Sequence, residues 1–318
     1  MTEDTRMLEV LEARSERRTE RRDFFRAFGS AAATVAGTSA LLASATGARA
    51  QAALTDADIL NFALNLEYLE AQFYTFAVFG EGLPSSLLGG TGTRGEATGG
   101  RKVNFTDPVV AQYAREIAQD ERAHVEFLRT ALGTASAVAQ PAIDIGIDPN
   151  GAFSSAARAA GLIGPGESFN PYASDEAFLL GAFIFEDVGV TAYKGAAPLI
   201  SDKNFLEAAA GILAVEAYHA ALVRTTLFRK GIQTPALINA TEAISDARDS
   251  LDGTDDRDQG IRPRGDASNI APLDENGLAY SRSAGQVLNI AYLNRMAVDR
   301  GGFFPNGVNG TIKTSAAS

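Results

Sequence analysis

The chain is 318 residues long, 46% hydrophobic and 21% charged, which supplies a core and excludes wholesale disorder. Acidic residues number 39 against 28 basic ones, for a net charge of −11, so the chain lacks the positive footprint that nucleic acid or an anionic membrane requires. It has no cysteine, which excludes disulfides, thiolate metal sites, iron–sulfur clusters and cysteine nucleophiles, and only two histidines through which imidazole chemistry can run.

The first fifty residues stand apart. A charged stretch ends in Glu20-Arg21-Arg22-Asp23-Phe24-Phe25-Arg26, a mildly apolar run of small residues follows to about Thr46, and Ala48-Arg49-Ala50 is a small-x-small cleavage pattern. This resembles a twin-arginine translocation signal, with Glu20 where Ser or Thr is usual and Phe25 where Leu is common. The resemblance implies export of the folded protein to the periplasm or beyond. The competing readings are a membrane anchor or a charged helix, and the run is too weakly apolar for a good anchor. Cleavage after Ala50 leaves 268 residues with a charge of about −12. No later run of 18 apolar residues exists, so the mature form is expected not to span a membrane.

Four long helices follow, making the expected fold all-α. The first runs from about Asp56 to Phe79, with Thr55 and Asp58 placed for a capping box and Gly80 at its end. The Gly-rich stretch from Glu81 to Arg101 reads as a long surface loop. The second helix starts at Asp107-Pro108 and stops at Gly133. The third runs from Ser174-Asp175-Glu176 to about Tyr193, and the fourth from Asp202 to Lys230, ending at Gly231. About 40 residues separate the second helix from the third, too many for a hairpin, which predicts one long crossover between two antiparallel pairs. Residues 232–318 read as a mostly irregular extension packed on the 51–231 bundle. Ala236–Leu251 is a helix candidate, Ser283–Asn294 a short helix with Ser283 and Gln286 placed for a capping box, and Gly302-Phe303-Phe304-Pro305 a turn with buried aromatics.

Both histidines sit three residues after a glutamate, in Glu121-Arg122-Ala123-His124 and Glu216-Ala217-Tyr218-His219. That spacing puts carboxylate and imidazole on one helix face, within about 60°. With 19 glutamates in the chain, chance places one there for both histidines in roughly one sequence in 280. The other helices supply Glu67, on the apolar face of the first, and Glu186, after the run Ala182-Phe183-Ile184-Phe185, where an acid is costly to bury unless it meets a positive partner. Glu67 is followed at +7 by Tyr74 and Glu186 at +7 by Tyr193, so the chain reads as two copies of one hairpin. Glu70 shares a face with Glu67 and competes as the ligand or as an extra one; the tyrosine register favours Glu67. Asp187 lies about 100° round from Glu186 and should face elsewhere.

These helices resemble the ferritin-like di-iron and di-manganese carboxylate superfamily, and Asp120-Glu121-Arg122-Ala123-His124 is similar to the Asp-Glu-x-x-His segment of its oxygen-activating members. Ala279-Tyr280-Ser281-Arg282, Gln286-Val287-Leu288-Asn289-Ile290 and Gly302-Phe303-Phe304-Pro305-Asn306-Gly307 resemble desiccation-related ferritin-like proteins of bacteria and plants. The resemblance, which covers about Leu54 to Ile312, implies a ferritin-like four-helix bundle with two divalent ions, Fe or Mn. It implies Glu121 and Glu216 as bridges, Glu67 with His124 on one ion, and Glu186 with His219 on the other. Tyr74, Tyr193 and Asp120 are candidates to orient ligands by hydrogen bonds. Two functions are in view. One is redox chemistry on O2 or H2O2, by peroxide removal or a ferroxidase-like reaction. The other is a non-catalytic, metal-stabilised protectant or surface protein. A homo-oligomer is compatible with both; the sequence argues against an iron-storing shell, which the bulky extension would obstruct.

Overall fold

The computed structural model of the protein describes residues 54–318. The twin-arginine segment lies outside the described residues.

Local chemistry starts and stops the long helices. Helix α1 (Asp56–Phe79) opens on a capping box in which Thr55 Oγ1 accepts from the Asp58 N–H and the Asp58 carboxylate accepts from the Thr55 N–H. It closes on Gly80 at φ 81°, a left-handed cap that glycine adopts without a Cβ penalty. Helix α2 (Pro108–Leu132) is capped by Asp107 with proline at its first position, and α4 (Asp175–Ala196) by Ser174. Helix α5 (Lys203–Gln233) starts at Asp202. α1 packs along α2 and α4 along α5, with further contact between α1 and α4 and between α2 and α5, which makes a four-helix bundle of two hairpins. By length and composition α5 is the one described helix that could cross a membrane, yet it lies along α4 with Glu216 and His219 buried in the bundle.

Three details differ from the sequence expectations. The crossover between α2 and α4 holds a short helix, α3 (Ala152–Ala159), whose Phe153 is fully buried. The Gly-rich stretch after α1 is laced to that crossover: Ala97–Thr98 (β1) pairs in parallel with Ile143–Asp144 (β2). A Cβ on Gly95 or Gly99 would stand 2.2 Å from the backbone of Ala142 or Gly146, so glycine here permits two backbones to approach. Finally, α5 does not end at Gly231 but continues to Gln233, and a Cβ on Gly231 would stand 2.5 Å from Ile238. The missing side chain makes room for the next helix rather than stopping this one.

That next helix, α6 (Pro235–Asp252), and α7 (Ala284–Ala291) pack against α4 and against each other. Helix α7 carries the Ser283/Gln286 capping box. Tail residue Phe303 wedges between Phe153 and Phe185, with ring centroids 5.1 and 4.9 Å away. Buried ions fix the rest. Arg224 donates to Asp187 (2.8 Å) and to the carbonyls of Gln259, Gly260, Asn269 and Ile270. Arg248 bridges Asp187 (3.1 Å) and Asp258 (2.5 Å), and Arg282 pairs with Asp252 (2.5 Å) and Asp258. Three arginines thus meet three aspartates inside the molecule, and Asp187 faces away from Glu186 as its place on the helix requires.

Candidate metal centre

Each bundle helix delivers acids to one buried point. α1 brings Glu67, α2 Glu121 and His124, α4 Glu186, and α5 Glu216 and His219, all six buried. The imidazole centroids are 6.4 Å apart. His124 Nδ1 stands 3.2 Å from Glu67, 3.5 Å from Glu121 and 3.8 Å from Glu216. His219 Nδ1 stands 3.0 Å from Glu121 and 3.6 Å from Glu186. Two overlapping groups of donor atoms result. One is Glu67, Glu121, His124 and Glu216; the other is Glu121, Glu186 and His219; each has its ligand atoms within 4.8 Å of one another. Glu121 belongs to both, as a bridge must. Glu216, the other expected bridge, groups only with the His124 side.

Buried polar atoms normally find hydrogen-bond partners. Here both oxygens of Glu121 and of Glu216, Glu186 Oε2 and His219 Nδ1 have none. Carboxylate oxygens and an imidazole nitrogen converge with no hydrogen bond to satisfy them, which is the arrangement a cation satisfies. The donor set therefore fits a bound metal ion.

The two tyrosines reach across the repeat. Tyr74 of the first hairpin donates to Glu186 Oε1 of the second, and Tyr193 of the second donates to Glu67 Oε1 of the first. Each carboxylate keeps its other oxygen turned toward a histidine: Glu67 Oε2 to His124 and Glu186 Oε2 to His219. Asp120 stands 3.3 Å from His219 Nε2, on the far side of that ring from the carboxylates. Among the described residues no carboxylate backs His124 in this way: the residue one before Glu216, in Asp120's place in the repeat, is Val215.

Charge crowding is severe. Burial raises Glu67 to about 7 and Glu186 to about 8, against the pull of the neighbouring histidines. Glu216 and Glu70 rise well above the usual range through burial and then through repulsion from the other carboxylates. Burial also pushes Glu121 upward, but the charges of His124 and His219 outweigh it and hold this carboxyl well below the usual range. Burial pushes His219 down, and Glu186 with its other acidic neighbours more than reverses this, to about 10; His124 is likewise raised, chiefly by Glu67 and Glu121. Burial and the adjacent glutamates keep Tyr74 and Tyr193 protonated as donors.

Glu67, not Glu70, joins a donor group. Glu70 is buried one turn further along α1, on the Glu216 side, near Gly189 of α4. Gly189 was not legible in the sequence as part of the site. A Cβ there would stand 2.3 Å from Glu216 Oε2 and 3.5 Å from Glu70 Oε1. The only signal was its position: it falls three residues after Glu186, where the first repeat has Glu70 three after Glu67.

Comparison with known proteins agrees with this geometry. The chain is 28% identical to a ferritin-like catalase of Nesocodon mauritianus, over 81% of this chain and 84% of that one. It is also 28% identical to a desiccation-related protein of Craterostigma plantagineum, over 80% and 83%. No solved structure matches the chain. The family model of the ferritin-like domain matches residues 55–229, the span of the four bundle helices, and the chain belongs to that family.

Proposed function

We propose that this protein holds two divalent ions, Fe or Mn, and removes hydrogen peroxide. The observation that carries the reading is the set of six buried donors from four helices, four of which, Glu121, Glu186, Glu216 and His219, turn unpartnered atoms toward one another. Four carboxylates can offset two divalent charges, and oxygen-rich donors with imidazole suit Fe or Mn. Glu67 and His124 would hold one ion, Glu186 and His219 the other, with Glu121 and Glu216 between them. Bound there, the pair supplies two-electron redox capacity. In the net reaction one peroxide loses two electrons and two protons to become O2, and a second takes them up to become two waters. The chain's own residues set the stage. Tyr74 and Tyr193 fix the orientation of Glu186 and Glu67, and Asp120 steadies the His219 ring from behind. A relative named as a ferritin-like catalase supports the same chemistry.

Metal analysis after native purification, with peroxide loss and O2 release followed per metal, tests this. Two ions per chain and one O2 for every two peroxides is the expected result. Two ions with peroxide and O2 untouched would sink the enzyme reading and leave the second one, a metal-locked desiccation protectant, which the similarity to a desiccation-related protein favours. Iron(II) oxidation by O2 without peroxide dismutation would identify a ferroxidase-like reaction instead. We further propose export by the twin-arginine route. Replacing Arg21 and Arg22 together by lysine should trap the protein in the cytoplasm, and unchanged export would refute the signal.

A further inference from the structure

A narrow pocket lies between α1, α4 and α7, walled by Leu69, Ile184 and Val188 of the bundle and by Val287, Ile290 and Phe303 of the C-terminal segment. Its volume is 30 Å3. One water needs about 10–15 Å3 on this measure, so the space suits a species of two heavy atoms. Leu66 is the one lining residue that is not buried, and marks the mouth. Among the lining residues two are not apolar side chains, Glu70 and Gly189, and these are the repeat-equivalent pair. One hairpin places an acid at the inner end. The other places no side chain, and the space it vacates is filled from behind by Glu216 Oε2. The pocket therefore ends at Glu70 and at Gly189, directly behind which stands Glu216 Oε2 of the metal centre. A second, 20 Å3 pocket shares Leu66 but ends on Tyr193, whose hydroxyl is committed to Glu67.

We infer that this pocket is the way in for a small neutral oxidant, that the C-terminal segment sets its width, and that Glu70 is a positioning residue at its inner end rather than a metal ligand. The inference rests on the reading of a dinuclear centre. Apolar walls exclude anions and the bore excludes branched organic peroxides. The extension, which the four-helix core does not need for its ligand set, thereby acquires a role in selecting substrate.

The test uses the full chain loaded with Fe(II), and two readouts: turnover of H2O2, and arrival of nitric oxide, a neutral two-atom probe, followed by its spectroscopic signature. Ile290→Phe fills the pocket. It should keep two metals per chain and slow both readouts about ten-fold. Ile290→Ala should keep H2O2 turnover and admit tert-butyl hydroperoxide. If Ile290→Phe does not fold, Leu66→Trp closes the mouth with the same expected slowing. Filling the pocket with both rates within about two-fold of the parent would overturn the route. Glu70→Gln should raise KM for H2O2 with metal content intact; loss of an ion would make Glu70 a ligand and refute its assigned role. Should the parent protein leave peroxide untouched, nitric oxide arrival still decides the route, so the two failures are separable.

Discussion

Two asymmetries at single residues make the two halves of the centre inequivalent. Asp120 backs His219, while the repeat-equivalent position, one before Glu216, is Val215, which has no carboxylate to offer. On the proposed two-ion reading, Asp120→Asn should therefore weaken the ion on the His219 side by about 10-fold and spare the other, read as biphasic metal release to a competing chelator. The tyrosines predict a crossed pattern. Tyr74→Phe leaves a Glu186 oxygen without its donor and should loosen the ion at His219, although Tyr74 sits on the same helix as Glu67. Tyr193→Phe should loosen the ion at His124, each by about 10–100-fold in affinity. Effects confined to the tyrosine's own hairpin would contradict the crossing. The donor cluster was legible because histidine is so scarce, and the +7 tyrosines pointed to Glu67, the one of the pair that joins it. Gly189 was not, since a side chain that must be absent leaves no periodic signal.

At the scale of elements, helix boundaries follow from caps and were legible wherever a capping side chain met its backbone N–H: Thr55, Asp107, Ser174, Asp202 and Ser283 all do this. Gly231 misled because glycine signals both a helix end and a close approach, and only packing against Ile238 tells them apart. The ion network that binds the extension was illegible for a similar reason: Arg224, Arg248 and Arg282 look like solvated charges until the bundle buries them. Arg282→Ala should cost about 3–5 kcal/mol in urea unfolding, because it leaves Asp252 buried without its cation and Asp258 with Arg248 alone. A loss below 1 kcal/mol would mean that water reaches these acids. Since α7 and Phe303 wall the pocket, the same variant should also perturb access to the centre.

At the scale of the whole molecule, the metal-free protein carries a pH dependence opposite to ordinary acid denaturation. Glu67 and Glu186 titrate near 7 and 8 in the folded state, above the unfolded value of 4.5, so the folded protein binds more protons in that interval and stability falls as pH rises through it. His219, raised from 6.5 to about 10, adds a loss in the same direction at higher pH. Glu121 acts oppositely, but only as pH falls below the carboxylate range. Calorimetry should show the melting temperature of metal-free protein dropping between pH 5 and 8. Metal should restore more at pH 8 than at pH 5, because cations replace the protons that the acids release. A metal-free melting temperature that climbs over this range would show that the carboxylates are not crowded as described.

The crossed tyrosines carry a consequence for ancestry. A residue in one half serving its counterpart in the other is the reciprocity that a two-fold axis imposes on identical chains. A lone hairpin bearing Glu-x6-Tyr and Glu-x-x-His, meeting its own copy, could close both bonds and complete the cage with no further invention. Duplication and fusion of such a unit would then free each half to drift. Asp120 against Val215, and Glu70 against Gly189, are equivalent positions at which the two halves now differ.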